Sequence, residues 1–240
     1  MNILVLGSTS SIGKSIVKYF SKDNNLYLIC RDSKKLETIK KQSIELGCNK
    51  IKIIELDLGK NINIKNLFDI DFDLIFNVAS STSRLMNSQI FPNKYNYHTL
   101  VDFSNPLAIL ENILLVRKKK NNTKKLYYIF INTILSKVQS PDYSIYYSYK
   151  ILQQEYIYAF GRQYKDILNP INVIIGTNID KFEETKKSNS LVKKIDSAIK
   201  SNKSQFIFGF RGKVLHALYR ISPLISDSLI KIKRFVAIKK

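Results

Sequence analysis

Acidic residues are scarce in this chain: 19 Asp and Glu stand against 39 Lys and Arg, for a net charge of +20. That excess favours contact with phosphates, anionic sugars, nucleic acid or an acidic membrane face. Part of it lies among asparagines, in runs such as Arg117 to Lys125, "RKKKNNTKK", which read as a solvated loop. Cysteine is scarce too. Cys30 and Cys48 have no spacing that suits a metal or a disulfide framework, so no metal site is expected and a reducing cytoplasm is the expected home. Also lacking are a basic leader with a cleavage site and any apolar run approaching the roughly 18 residues of a membrane span, so the bulk of the chain is expected to be soluble. No internal repeat is visible, and no convincing linker precedes about residue 180. With 45% hydrophobic and 24% charged residues, the chain has the composition of a globular protein with a sizeable core, which argues against disorder.

What is present is a series of short apolar runs separated by longer helical patterns. The runs are Asn2 to Gly7, Leu26 to Cys30, Ile51 to Leu56, Asp73 to Ala79, Leu126 to Asn132 and Ile171 to Gly176, with a further strand at "QFIFGF". Continuous rather than alternating apolar runs are the mark of strands covered on both faces. Between the first two, Ile12, Ile16, Tyr19 and Phe20 fall on one helical face. The pattern predicts an α/β chain of Rossmann type: three layers, doubly wound, around a mostly parallel sheet of about seven strands. Residues 1–210 are expected to form this domain and residues 211–240 a basic amphipathic helical tail.

"GSTSSIG" follows the first strand and opens the first helix, which is the context a dinucleotide fingerprint requires. Gly7 permits the tight turn and Gly13 close helix packing, while Ser8, Thr9, Ser10, Ser11 and Ile12 bring hydroxyls and a helix N-terminus to a pyrophosphate. Ser11 stands at the fingerprint's middle glycine. Either the backbone keeps farther from the phosphate there, or the hydroxyl replaces part of the contact. The second strand ends at Arg31, whose guanidinium suits the 2′-phosphate of NADP, and Asp32 beside it keeps NAD open. Asp57 and Leu58 close the third strand near the adenine. Asn77 and Ala79 close the fourth, at the carboxyl edge where ligands collect.

These residues, together with Asn105, Thr133 and the pair Tyr146 and Lys150 in "YYSYK", resemble the short-chain dehydrogenase/reductase family over roughly residues 1 to 180. Tyr146 and Lys150 are four apart, hence on one helical face; Thr133 lies thirteen residues before Tyr146 and Asn105 twenty-eight before Thr133. The resemblance implies Tyr146 as acid/base and Lys150 as its modulator and a ligand of the nicotinamide ribose. It also implies Thr133 as carbonyl polariser and Asn105 as a water-holding proton relay. The chemistry suits those types: a carbonyl accepting hydride develops alkoxide charge, and a phenol can protonate it once its pKa is brought down from about 10 by a nearby cation. Tyr143, Tyr147 and Tyr149 have no lysine four residues on and are assigned to packing.

Departures from the family pattern are Thr133 in place of Ser, with Ser136 as an alternative partner, the missing second Asn and Gly in "NVAS", and Ile175 before Gly176. Gly176 is retained as a cofactor-loop residue. Between Ser80 and Asn105 an aromatic loop is expected to roof the substrate, with Arg84, Lys94, Tyr95, Tyr97 and His98 available to a phosphate or sugar. From Arg211 to Lys240 eight Lys or Arg face one acid, and Leu229, Ile230, Ile232, Phe235, Val236 and Ile238 alternate with basic residues as in a helix lying on an anionic interface.

The expected activity is carbonyl/alcohol interconversion with NADP(H) favoured over NAD(H). A small-molecule substrate, anionic or sugar-derived as in surface-polysaccharide synthesis, and a homodimer or homotetramer are expected; nucleic acid is not. The alternative is a catalytically silent dinucleotide-binding sensor or scaffold with a basic docking tail.

Overall fold

The computed structural model describes residues 1–64, 69–81, 92–138, 144–177 and 185–223. Strands β1 (Asn2–Leu6), β2 (Asn25–Cys30), β3 (Lys50–Glu55), β4 (Leu74–Asn77), β5 (Leu126–Thr133), β6 (Leu168–Ile175) and β7 (Gln205–Phe208) form one seven-stranded sheet in the order β3-β2-β1-β4-β5-β6-β7. Every ladder is parallel. The helices are α1 (Ser11–Tyr19), α2 (Glu37–Glu45), α3 (Pro92–Thr99), α4 (Asn105–Lys119), α5 (Leu135–Val138), α6 (Ser144–Gln163), α7 (Lys186–Lys200) and α8 (Phe210–Ile221).

Successive residues of a strand point to opposite faces, and in β1 both faces are apolar. Ile3 and Val5 join Ile16 and Val17 of α1 and Leu191, Val192 and Ile195 of α7. Leu4 and Leu6 face the other way, onto Leu107, Leu110, Ile113 and Leu114 of α4 and Ile157 of α6. The result is the three-layer, doubly wound Rossmann-type fold that the continuous runs predict. The strand order reverses between β1 and β4, and there the turn after β1 meets the turn after β4: a Cβ on Gly7 would lie 2.8 Å from the backbone of Ala79. Strand β6 starts earlier than the sequence suggests and includes Pro170. Its ladder with β7 begins only at Asn172, so the missing proline N–H falls where no strand needs it on that side.

Two expectations change. The Ser80–Asn105 connection is not a loop throughout: α3 runs into a π-helical turn, Leu100–Ser104, and on into α4. The stretch Asn96–Lys119 is long and apolar enough by composition to cross a membrane, against the expectation of no such run; half of its most apolar part is buried in the protein, where α4 covers the sheet. Arg84 lies outside the described residues, as do Tyr143, the side chains of Lys94 and Tyr95, and the tail apolar residues from Leu229 to Ile238.

The π-turn has a cause in the sequence. Pro106 has no N–H to donate to the Asp102 carbonyl, and the chain absorbs the gap by widening one turn, with Asn105 N bonding to Leu100 O. The freed Asp102 carbonyl accepts from Gln153 Nε2 of α6 at 2.8 Å.

Candidate active site

The turn between β1 and α1 is braced from within. Gly7 takes φ +84, and a Cβ on Gly13 would lie 2.5 Å from Gly7 O, so both glycines are required by the backbone. Ser10 caps α1, accepting from Gly13 N at 3.1 Å and donating to Gly7 O at 2.9 Å; Ser8 Oγ donates to Ile29 O of β2 at 3.0 Å. Thr9 and Ile12 are half-buried beside them. Ser11 Oγ is buried with no hydrogen-bond partner among the described residues. A tight glycine turn, a capped helix start and an orphaned hydroxyl fit the pyrophosphate of a dinucleotide.

At the ends of β2 and β3, Arg31 Nη1 donates to the Tyr97 hydroxyl at 2.8 Å, and the Tyr97 ring lies over Gly59, where a Cβ would fall 2.0 Å from it. Asp57 Oδ1 accepts from Gly59 N at 2.9 Å. The Asn105 amide, expected beside Tyr146 as a relay, is committed here instead: Nδ2 donates to Leu58 O at 2.7 Å and to Lys60 O at 2.8 Å. Asn105 therefore ties α4 to the loop after β3. Asn77 Nδ2 donates to the buried Tyr128 hydroxyl at 3.0 Å, and burial pushes that phenol's pKa up while the Asn77 bond pulls it down.

At the other end, Tyr146 and Lys150 come together on α6, with Lys150 Nζ 5.9 Å from the Tyr146 ring centre. Tyr149 leaves this face and shares a 2.5 Å hydrogen bond with Thr99. Thr133 ends β5, its hydroxyl accepting from Leu135 N at 3.2 Å, while Ser136 Oγ donates to Thr133 O at 2.7 Å. Asn132, buried next to Thr133, reaches the Lys150 carbonyl at 3.5 Å and so joins the end of β5 to α6. Gly176 meets α8: a Cβ on it would lie 2.3 Å from Gly212 Cα, so its smallness serves helix packing. Gly212, assigned by sequence to the tail, is thus seated on the end of β6.

The residue that sequence reading missed is Asp102. Fully buried, it faces Lys150 Nζ at 3.6 Å and His98 Nδ1 at 3.5 Å, and accepts from Ser80 Oγ at 2.9 Å. Ser81 reaches it through both its N and its Oγ, and that Oγ also contacts His98 Nδ1. Burial raises the Asp102 pKa, but the His98 bond, the Lys150 charge and the serine hydroxyls outweigh it and hold the carboxyl below the usual range. An acid before "FSNP" carries no motif of its own; Pro106 was the available signal, because it forces the turn that aims Asp102 inward. His98, expected in a substrate loop, is a buried partner of Asp102.

The family model for the NAD dependent epimerase/dehydratase family matches residues 3–215. The chain belongs to that family. Its match continues past residue 211 into α8. The fold is similar to a short-chain dehydrogenase from Streptomyces avermitilis (TM-score 0.78, 11% identity, covering 100% of this chain and 98% of that one). It is similar also to a short-chain dehydrogenase from Sphingobium yanoikuyae in complex with NADPH (TM-score 0.74, 13% identity, 100% and 96% covered). A third is the bulky-bulky ketone specific alcohol dehydrogenase from Comamonas testosteroni (TM-score 0.75, 13% identity, 100% and 94% covered). Among proteins of curated function, none matches the chain. The resemblance to NAD(P)-dependent short-chain enzymes read from the motifs stands in family and in fold.

Proposed function

We propose that the chain is an NADP(H)-preferring reductase that interconverts a carbonyl and a secondary alcohol, with Tyr146 as the acid/base. The observation that carries this reading is the Tyr146 and Lys150 pair on one face of α6, with the ammonium buried and 5.9 Å from the phenol ring. Bound nicotinamide supplies or accepts the hydride. Tyr146 delivers the proton to the developing alkoxide, Lys150 holds the nicotinamide ribose, and Thr133 donates a hydrogen bond to the carbonyl oxygen. Arg31, presented by Tyr97, takes the adenosine 2′-phosphate, and the glycine turn with the start of α1 takes the pyrophosphate. Asn105 serves by fixing the loop that carries Asp57 and Leu58.

The charge of +20 supports an anionic or sugar-derived substrate. Exposed Leu115 on α4 and Leu152 on α6 support a homo-oligomer built on these helices, and exposed Phe210 and Ile221 on α8, among Arg211, Lys213 and Arg220, support peripheral contact with an anionic membrane from the cytoplasm.

The test is a titration of NADPH and NADH followed by nicotinamide fluorescence, repeated with Arg31→Ala. Preferential NADPH binding that the variant loses is the expected result. Keto-sugars are then screened, and Tyr146→Phe is expected to cut turnover by about 10² to 10⁴ while leaving NADPH binding in place. Binding of neither nucleotide removes the reading in favour of a silent scaffold.

A further inference from the structure

Lys150 is 2% exposed, and an ammonium taken out of water is costly unless a carboxylate and hydrogen bonds replace the lost hydration. The carboxylate is Asp102, and α6 grips that residue twice. Lys150 Nζ faces its Oδ1 at 3.6 Å, and Gln153, three residues on, donates to its carbonyl at 2.8 Å. From the opposite side, His98 of α3 and Ser80 and Ser81 of the segment after β4 close on the same carboxylate. That segment includes Ala79, whose backbone meets Gly7. One buried carboxylate thereby joins the glycine turn's neighbour to the lysine at the far end of the site.

We infer that Asp102 is a positioning residue: it seats the Lys150 ammonium beside Tyr146, and His98, Ser80 and Ser81 seat Asp102. The inference rests on the reading of Lys150 as partner of Tyr146 and of the nicotinamide ribose. No family motif carries it. It comes from a proline-induced π-turn, a fully buried carboxylate and the groups that converge on it.

The experiment reads Lys150 directly. Lysine ammonium groups labelled with 15N are observed by NMR in the full chain without nucleotide, and Lys150→Arg assigns the signal. A protected Lys150 signal is expected in the wild type, and its loss to exchange broadening in Asp102→Asn. Nucleotide affinity is the second readout, with NADPH compared against adenosine 2′,5′-bisphosphate, which carries only the adenosine half. Asp102→Asn is expected to weaken NADPH roughly threefold to tenfold, the cost of immobilising one long side chain on binding, and to leave the bisphosphate unchanged.

A Lys150 signal that persists in Asp102→Asn overturns the inference, and so does an equal loss of both ligands, which marks a purely structural role. Should Asp102→Asn not fold, His98→Gln carries the same readouts: a weakened Lys150 signal supports the inference, and an unchanged signal with unchanged NADPH affinity overturns it. A wild type that binds neither nucleotide removes the functional reading instead, and the ammonium signal then decides the inference by itself.

Discussion

Gln153 Nε2 donates to the Asp102 carbonyl at 2.8 Å, the bond that a backbone N–H at position 106 would make in a regular helix. Pro106 removes the one donor and α6 supplies the other. The fault at the π-turn before α4 is thereby converted into a contact between that turn, which carries Asp102, and α6, which carries Lys150.

Replacing Gln153 with Leu leaves that carbonyl without its donor inside the protein. A buried unpaired carbonyl costs about 1–3 kcal/mol, and the low end is expected because Gln153 Oε1 has no partner among the described residues and its removal gives some of the cost back. Urea unfolding measures the loss; an unchanged midpoint at unchanged slope would show that the bond contributes nothing.

Gly212→Ala places a Cβ 2.4 Å from Gly176 Cα, against backbone that has no rotamer to change. α8 is expected to lift from the end of β6, seen as faster amide hydrogen exchange over Phe210–Ile221 while β1 to β5 keep their protection. Equal protection in both proteins would show that the interface yields without opening.

The Tyr97 hydroxyl accepts from Arg31 Nη1 at 2.8 Å, and on the proposed reading this orients the guanidinium toward a 2′-phosphate. In Tyr97→Phe the guanidinium keeps its charge and loses its orientation, and because the pair is exposed the effect is small. The ratio of NADPH to NADH affinity is expected to fall about twofold to fivefold. Loss of affinity for both nucleotides alike would show that the hydroxyl acts on the site as a whole and not through the 2′-phosphate.

The Asp102 carboxyl is held below its unfolded value of about 3.9. Its charged form therefore stabilises the fold fully above that value, and the contribution disappears as pH falls through the lower, folded pKa. Asp102→Asn is expected to be less stable than the wild type at neutral pH, and the gap between the two is expected to narrow as urea unfolding is repeated down to about pH 3. A gap that stays constant with pH would mean that the charge of Asp102 contributes no stability.

Much of the architecture was legible in the sequence because it rests on local rules. Two-face apolar runs specify buried parallel strands, Gly7 and Gly13 are demanded by a turn that no Cβ can enter, and the four-residue spacing of Tyr146 and Lys150 places both on one side of a helix wherever that helix goes. The family followed from the order of these motifs. What the sequence left open was which polar groups would find each other. Asn105 sits where a relay is expected, yet its amide is satisfied by the Leu58 and Lys60 carbonyls of the loop after β3, a strand on the other side of the reversal point. Asp102 and His98 looked like parts of a surface loop until the π-turn at Pro106 and the packing of α6 closed over them. Burial decides such partners, since a charged or polar group withdrawn from water must take whatever complementary group the fold brings within reach. Spacing along the chain cannot tell which group that is.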